Sequence, residues 1–371
     1  DHAASTPIVL SSPEALAWYA DRVNNANGAH VFGDSGAVFG DSAAKIASDL
    51  PLPGSLSLAG AKYTDDAAGL AWVPIGTSGT PYSGGFDGNG KAIVGMRVNG
   101  STANQGLFGY AVKGSVADAG YIKDLSLSGS VASSSTDTNG ANIGGLVGYG
   151  EDITVSDIQA NVDVDARGMN AGGVVGKAKG MTVERTSHMG AIASTLSDVG
   201  GFFGYADGLT LRDCFHEGSV EGSTRVGGLG GSAYNGTAFA NSYASAAVNT
   251  PSGGIKNAVL AAGSATLKNC YYNKDLCGTG KTGSTGKTAA EFASGEVAYL
   301  LNAGRSETVW GQTLGTQNAP VLGGAPVYAG YAFCYSTDIS YSNDKNAVFD
   351  EKPAHRFTVI QDDADVHWYA C

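Results

Sequence analysis

The 371-residue sequence contains few charged side chains. Asp, Glu, Lys and Arg make up 15% of it, well below the ~25% usual in soluble domains. Its 22 basic residues are outnumbered by 34 acidic residues, which gives a formal net charge of −12. Because nucleic-acid-binding proteins carry a basic stripe and anionic membranes attract basic segments, this balance argues against both partners.

Cysteine and long apolar segments are also scarce. The five cysteines are too few for a disulfide scaffold, and their odd number leaves at least one thiol free or paired beyond the chain. No apolar run reaches the ~18 residues of a membrane span, so we expect no membrane insertion. The sequence contains no signal-peptide pattern, and we expect both chain ends to be processing boundaries.

Glycine, in contrast, is abundant and recurs at a fixed period. The 56 glycines are about twice the usual ~7%, but they lack the strict Gly-X-Y period of collagen. The motifs GGLVG, GGVVG, GGFFG and GGLGG start 28, 28 and 27 residues apart, at Gly144, Gly172, Gly200 and Gly227. A period of this length is typical of stacked structural units, each of which buries its apolar face against its neighbours.

Two further ladders share this period. The apolar ladder is Val155, Val183, Leu211, Phe239 and Leu267. The polar ladder, two residues later, is Asp157, Arg185, Asp213, Asn241 and Asn269. Apolar residues alternate around both, which indicates two or three short strands per turn. We therefore predict parallel strands stacked in register about 4.8 Å apart, with an apolar interior and with Asp or Asn bonding neighbouring backbone at a corner.

Helical signals lie at both ends of the repeats. Ser12 as a cap and Pro13 at the first helical position predict a helix of roughly 11 residues that covers the first coil. Near the other end, apolar spacing predicts a short helix over 289–302 that closes the stack. Thr288 and Glu291 have the spacing of a capping box there.

The repeats resemble those of the GLUG-motif family, named for Gly-Leu-any-Gly. The resemblance rests on GLFG at Gly106, on the GG motifs at Gly144, Gly172 and Gly200, and on flanks such as FDGNG at Phe86. It spans roughly residues 5–325. It implies an all-β fold, a right-handed parallel β-helix, in a secreted or surface-exposed bacterial protein, and many members look like adhesins. The motif also occurs in IgA-specific metallopeptidases, outside their catalytic part.

Catalytic motifs are incomplete. A zinc peptidase of the His-Glu-x-x-His type needs a second histidine, but His216-Glu217 is followed by Gly218, Ser219 and Val220. The two Gly-Lys-Thr triplets in 278–288 lack the first glycine of a phosphate loop, so we interpret this stretch as an ordinary loop.

Carboxylates offer an alternative function, because β-helices also carry polysaccharide lyases and glycosidases with carboxylates along a groove. The candidates are Asp157, Asp163, Asp165, Glu184, Asp213 and Glu217. Calcium could bind near Asp87–Asn89 or 343–346, although turn formation explains both segments more simply.

The last 45 or so residues are rich in aromatics and hold a Cys/His set. Cys334, His355, His367 and Cys371 could bind zinc, and a Cys334–Cys371 disulfide is at least as well supported. Cys270 and Cys277 could close a short loop. The aromatic side chains form either a recognition surface or the core of a small module.

Three segments follow from these patterns: 1–105 as cap and lead-in coils, 106–325 as the repeat β-helix with its closing segment, and 326–371 as a small appended module. We predict no catalytic, cofactor-binding or metal-binding residues. The leading hypothesis is a non-enzymatic, monomeric, secreted or cell-surface adhesin that presents loops to a host glycan or protein. The alternatives are a carbohydrate-active enzyme and a structural spacer.

Overall fold

The computed structural model describes residues 8–24, 44–46, 50–51, 65–66, 69–70, 72–114, 120–331, 339–347, 359–363 and 366–370. The chain forms two compact units, Asp1–Gly286 and Lys287–Cys371. The first unit holds the glycine repeats, and the predicted parallel β-helix is confirmed there. The predicted division into three segments stays a prediction.

Three parallel sheets run through the repeats. Sheet A contains, among the described residues, Ile8–Leu10, Ala44–Ile46, Leu50–Pro51, Gly85–Gly100, Tyr121–Ser133, Thr154–Ala166, Thr182–His188, Ala191–Ser194, Thr210–Glu221, Ala238–Asn249, Thr266–Asn273 and Ser284–Lys287. Sheet B contains Ile143–Gly144, Ala171–Gly172, Val199–Gly200, Arg225–Gly227 and Ile255–Asn257. Sheet C contains Phe108–Val112, Val147–Glu151, Val175–Lys179, Phe203–Asp207, Gly230–Tyr234 and Leu260–Gly263. Each turn therefore passes through sheets B, C and A in that order.

The predicted apolar ladder forms the interior of the β-helix. Val155 pairs with Val183, Val183 with Leu211, Leu211 with Phe239, and Phe239 with Leu267. The first four side chains are at most 1% exposed, so each contributes about 1.5–3 kcal/mol of burial free energy. The predicted in-register stacking is confirmed.

The polar ladder occupies a backbone corner. Its members share a left-handed φ between 45° and 57°, and the register adds Asp124 to them. Asp and Asn adopt this conformation at lower cost than other non-glycine residues, which explains their recurrence. The side chains bond one another, whereas the sequence predicted bonds to backbone: Asn269 Nδ2 donates to Asn241 Oδ1 at 2.9 Å. Arg185 fits because its Nε and Nη2 donate to Asp157 at 2.6 and 2.8 Å.

The paired glycines allow close approach of successive turns. A Cβ on Gly145 would lie 2.2 Å from the carbonyl oxygen of Gly173 in the next turn. A Cβ on Gly144 would lie 2.8 Å from the amide nitrogen of Gly176 in the next turn, and 2.1 Å from the Val147 oxygen of its own turn. The left-handed corner itself falls two residues before Gly144, at Asn142 with φ 52°. Asn170 is the corner of the next turn, and its Nδ2 donates to Asn142 Oδ1 at 2.8 Å.

The predicted N-terminal helix is confirmed as α1 (Pro13–Asn24). The amide of Ala15 donates to Ser12 Oγ at 3.2 Å, as expected of a cap. The helix buries Tyr19 against Tyr82 of the first coil, with ring centroids 6.2 Å apart. At its other end, Asn24 Oδ1 accepts from the amide of Gly76 at 2.8 Å.

The second unit begins with two short helices. These are α2 (Ala289–Ala293) and α3 (Glu296–Leu301), where the sequence predicted one helix, because Gly295 adopts φ 91° between them. The predicted capping box is present: the Thr288 amide donates to Glu291 Oε2 at 2.6 Å, and the Glu291 amide donates to Thr288 Oγ1 at 3.1 Å.

The remaining strands form antiparallel pairs. They are Asp65–Asp66 with Gly69–Leu70, Trp310–Gly311 with Val321–Leu322, Tyr328–Tyr331 with Ile339–Ser342, and Val359–Asp363 with Val366–Ala370. In the described ranges, no helix is long and apolar enough to cross a membrane.

Candidate functional site

The sequence-derived carboxylates do not converge. In sheet A, residues at equivalent positions of successive turns lie above one another and form columns. The six candidate carboxylates occupy five such columns, and only Asp157 and Asp213 share one, with Arg185 between them. Burial alone would raise the pKa values of Asp157 and Glu184, but hydrogen bonds and charge from the neighbouring arginines lower both. Arg185 Nη1 lies 2.8 Å from Glu184 Oε1. These two carboxylates therefore act as ion-pair partners.

Glu217 differs from the other carboxylates. Burial raises its pKa, and the Tyr243 hydroxyl donates to its Oε1 at 2.6 Å. Its register neighbour in the next turn is Ser245. Glycoside hydrolysis needs a second carboxylate roughly 5–9.5 Å away, and none of the other candidates shares a column with Glu217.

The suggested cation sites are turns. The amide of Asn89 donates to Asp87 Oδ1 at 2.7 Å, and that of Asn346 donates to Asp344 Oδ1 at 2.8 Å. Asn343 Nδ2 donates to the backbone oxygen of Gln312 at 2.7 Å. Within the described part of the chain, no group of three His, Cys, Asp or Glu residues could hold a metal ion.

The cysteine and lysine motifs also have structural explanations where they are described. Cys270 and Cys277 are free thiols, so the suggested short disulfide is absent. The lysines of the two Gly-Lys-Thr triplets are both engaged: Lys281 Nζ donates to the Gly263 oxygen at 2.9 Å, and Lys287 Nζ lies 2.6 Å from a carboxylate oxygen of Glu296.

The Cys/His set near the C-terminus lies outside the residues that the structure describes. Cys334, His355, Cys371 and the side chain of His367 fall outside the described residues. Zinc binding and the Cys334–Cys371 disulfide remain predictions.

The outer face of sheet C presents a different cluster. The third residue of each of its first four strands points outward, and the register stacks these residues turn upon turn. They are Tyr110, Tyr149, Lys177 and Tyr205, here called the tyrosine–lysine ladder. The fifth residues form a parallel outer column, which includes Glu151, Lys179, Asp207 and Tyr234.

The ladder is a continuous stack. The rings of Tyr110 and Tyr149 lie 4.4 Å apart with an interplanar angle of 17°. The ammonium of Lys177 lies 5.5 Å from the Tyr149 ring centroid and 5.4 Å from that of Tyr205, within cation–π distance of both. Tyr205 packs in turn on Tyr234, which is 39% exposed. Ring faces are thus used within the stack, and the members of the ladder are half-buried.

Charges beside the ladder are partly paired. Glu151 accepts from Lys179 Nζ at 2.5 Å and from the Tyr149 hydroxyl at 3.1 Å. The hydrogen bond from Lys179 is the main reason that the pKa of Glu151 is lowered. Burial, followed by the adjacent Tyr110 and Glu151, raises the pKa of Tyr149. By contrast, the Lys177 ammonium and the Tyr205 hydroxyl have no hydrogen-bond or ion-pair partner among the described residues.

Sequence reasoning missed this ladder, although it left a signal. Each member directly follows the last glycine of a GxxG motif, as in Gly148-Tyr149, Gly176-Lys177 and Gly204-Tyr205. Only the glycines of the motif enter the fold prediction from sequence. Because those glycines set a common register, the residue after each motif points to the same outer face.

No family model and no curated protein match this chain. A solved structure of a putative immunoglobulin A1 protease from Bacteroides ovatus is similar, with a TM-score of 0.58 and 17% sequence identity over 86% of this chain and 93% of that chain. The name of that protein agrees loosely with the IgA-peptidase branch of the predicted resemblance. At this identity the likeness shows the fold alone.

Proposed function

We propose that this chain is a non-enzymatic, adhesin-like β-helix of a secreted or surface-exposed bacterial protein. In this proposal it is a monomer of the GLUG-repeat type, and it binds a host glycan or protein through the outer face of sheet C. The tyrosine–lysine ladder carries the proposal. Tyrosine is enriched at binding surfaces because a rigid ring and a polar hydroxyl provide contact area at low entropic cost.

A purely structural role for the ladder would leave two features unused. Stacked outer side chains stabilise neighbouring strands by roughly 0.2–1 kcal/mol per pair. This stabilisation does not require hydrogen-bond donors that lack a partner. The Lys177 ammonium and the Tyr205 hydroxyl, however, are donors that no described residue engages in a hydrogen bond or an ion pair. Donors beside half-buried aromatic rings suit a polar ligand such as a sugar.

The non-enzymatic part of the proposal rests on the carboxylates. Asp157 and Glu184 are bound by arginine. Glu217 has an elevated pKa, but none of the other candidate carboxylates lies in its column. The name of the Bacteroides ovatus protein concerns that protein, and a likeness of fold does not transfer its activity.

A glycan and extracellular-matrix array tests the proposal. The full chain would be compared with a Tyr149→Ala/Tyr205→Ala variant and with Gln159→Ala, a matched control on the exposed outer face of sheet A. We expect binding by the wild type and the control and a loss of binding by the double variant. Equal binding by all three would refute the ladder as the site. Absence of binding would favour the structural spacer, and release of sugar from the array would favour the carbohydrate-active enzyme.

A further inference from the structure

The outer face of sheet C already holds one carboxylate with a tyrosine and a lysine. Glu151 takes a hydrogen bond from the Tyr149 hydroxyl at 3.1 Å and one from Lys179 Nζ at 2.5 Å. Charge-assisted hydrogen bonds of this kind are about twice as strong as neutral ones. This arrangement shows which donors on this face hold a carboxylate.

The same pair of donor types recurs without a carboxylate. Lys177 and Tyr205 are register neighbours on adjacent strands of sheet C, and neither the ammonium nor the hydroxyl has a partner among the described residues. The counterpart of Glu151 on the Tyr205 strand is Asp207, whose shorter side chain instead accepts from Asn235 Nδ2 at 2.5 Å. Among the described residues, no carboxylate is therefore hydrogen-bonded to this second pair, although the charge of Lys177 acts on Glu151.

The Lys177 side chain is also preorganised to bind an anion. Its ammonium lies between the rings of Tyr149 and Tyr205, at 5.5 and 5.4 Å from their centroids. Contact with two ring faces limits the rotamers of a flexible side chain, so less entropy is lost when an anion binds.

We propose that Lys177 and the Tyr205 hydroxyl form a subsite for the single carboxylate of an acidic sugar at the end of a glycan. The inference rests on the proposed function, because it names the ligand class of the same face. One free ammonium matches one carboxylate. A polyanion is disfavoured by Glu151 and Asp207 beside the subsite and by the net charge of −12.

The test uses ligands that differ in one charge. Binding of 3′-sialyllactose, its carboxyl methyl ester and lactose to the full chain would be measured by calorimetry. We expect the free acid to bind about tenfold or more tightly than the ester, as a charged hydrogen bond predicts. Lys177→Gln should abolish this preference, and Tyr205→Phe should reduce it severalfold. The control Lys179→Gln, two residues along the same strand, should keep it because Lys179 is already paired with Glu151.

Contrary outcomes separate this inference from the proposed function. Equal affinities for acid and ester, or loss of preference in Lys179→Gln rather than Lys177→Gln, would overturn the carboxylate subsite while leaving glycan binding intact. Array binding confined to neutral sugars would also overturn the carboxylate subsite and leave glycan binding intact. Binding of an oligoglutamate peptide that depends on Lys177, without any sugar binding, would replace the acidic sugar with an acidic protein segment. Absence of binding to every array ligand would overturn both proposals.

Discussion

Two histidines inside the β-helix make its stability depend on pH. His188 and His216 are 0% exposed, and their Nδ1 atoms lie 3.1 Å apart. His188 Nε2 lies 2.9 Å from the Val162 carbonyl oxygen, and His216 Nδ1 lies 3.1 Å from the His188 carbonyl oxygen. Donation from both of these nitrogens, with His188 Nδ1 accepting from His216 Nδ1, requires a neutral His188 ring. His216 Nε2 is buried and has no hydrogen-bond partner among the described residues, so a proton there would be unsatisfied.

The size of the effect follows from the pKa values. Burial lowers the pKa of His188 from 6.5 to about 4, and burial together with the neighbouring His188 lowers that of His216. The unfolded chain therefore binds more protons than the folded chain below pH 6.5, and stability falls as the pH decreases through that window. At pH 5, His188 alone costs ~2 kcal/mol, because 1.5 pKa units at 1.36 kcal/mol each separate that pH from 6.5. His216 adds to the loss.

Guanidinium unfolding at pH 7.5, 6 and 5 measures this loss. We expect the wild type to lose at least ~2 kcal/mol between pH 7.5 and 5, and His188→Leu/His216→Leu to lose much less, whatever its absolute stability. The elevated pKa of Glu217 acts in the opposite direction, because the folded chain binds that proton more readily. A Glu217→Gln background removes this contribution. Equal pH dependence of the wild type and the double variant would refute the reasoning.

Two further substitutions test the packing of the turns. Gly145→Ala should destabilise the fold by about 1–3 kcal/mol, because its Cβ would meet the Gly173 oxygen. Gly79→Ala should change the unfolding midpoint little, because its Cβ would make only an ordinary contact, 3.9 Å from Thr77 Oγ1. Equal effects of the two substitutions would contradict the steric argument. Arg225→Ala should cost roughly 3–5 kcal/mol, because Arg225 is the bidentate partner of Asp198, which is 1% exposed. Adding Asp198→Asn, the residue of the two preceding turns, should recover much of this loss in the same unfolding assay, and failure of that rescue would show that the charge of Asp198 is not the cause.

The α2–α3 break shows a limit of pattern reading. Apolar spacing over 289–302 predicts one helix, and the capping box at Thr288 correctly places its start. The predicted helix runs through Gly295, whereas Gly295 adopts φ 91° and separates two helices. A single glycine carries no local signal that distinguishes these outcomes, because packing around it decides between them.

The repeat, the stacking register and the polar corner could be predicted from the order of the residues alone. In a parallel stack, each position meets the same environment in every turn, so Val155, Asp157 and Gly145 have equivalents 28 residues later with the same burial or backbone conformation. The 28-residue period of the sequence therefore reflects these shared environments directly. For the same reason, Arg185 could be recognised as an exception before its ion pair with Asp157 was known.

The contacts between unlike members of a column could not be predicted in this way, and they became known only from the folded structure. Lys177 lies between Tyr149 and Tyr205, and His188 lies upon His216, because stacking brings residues a full turn apart into contact. No local pattern shows whether such a residue faces the interior or the solvent, or whether its neighbour supplies a partner. Those contacts determine which donors are left for a ligand, and they placed the candidate site on sheet C.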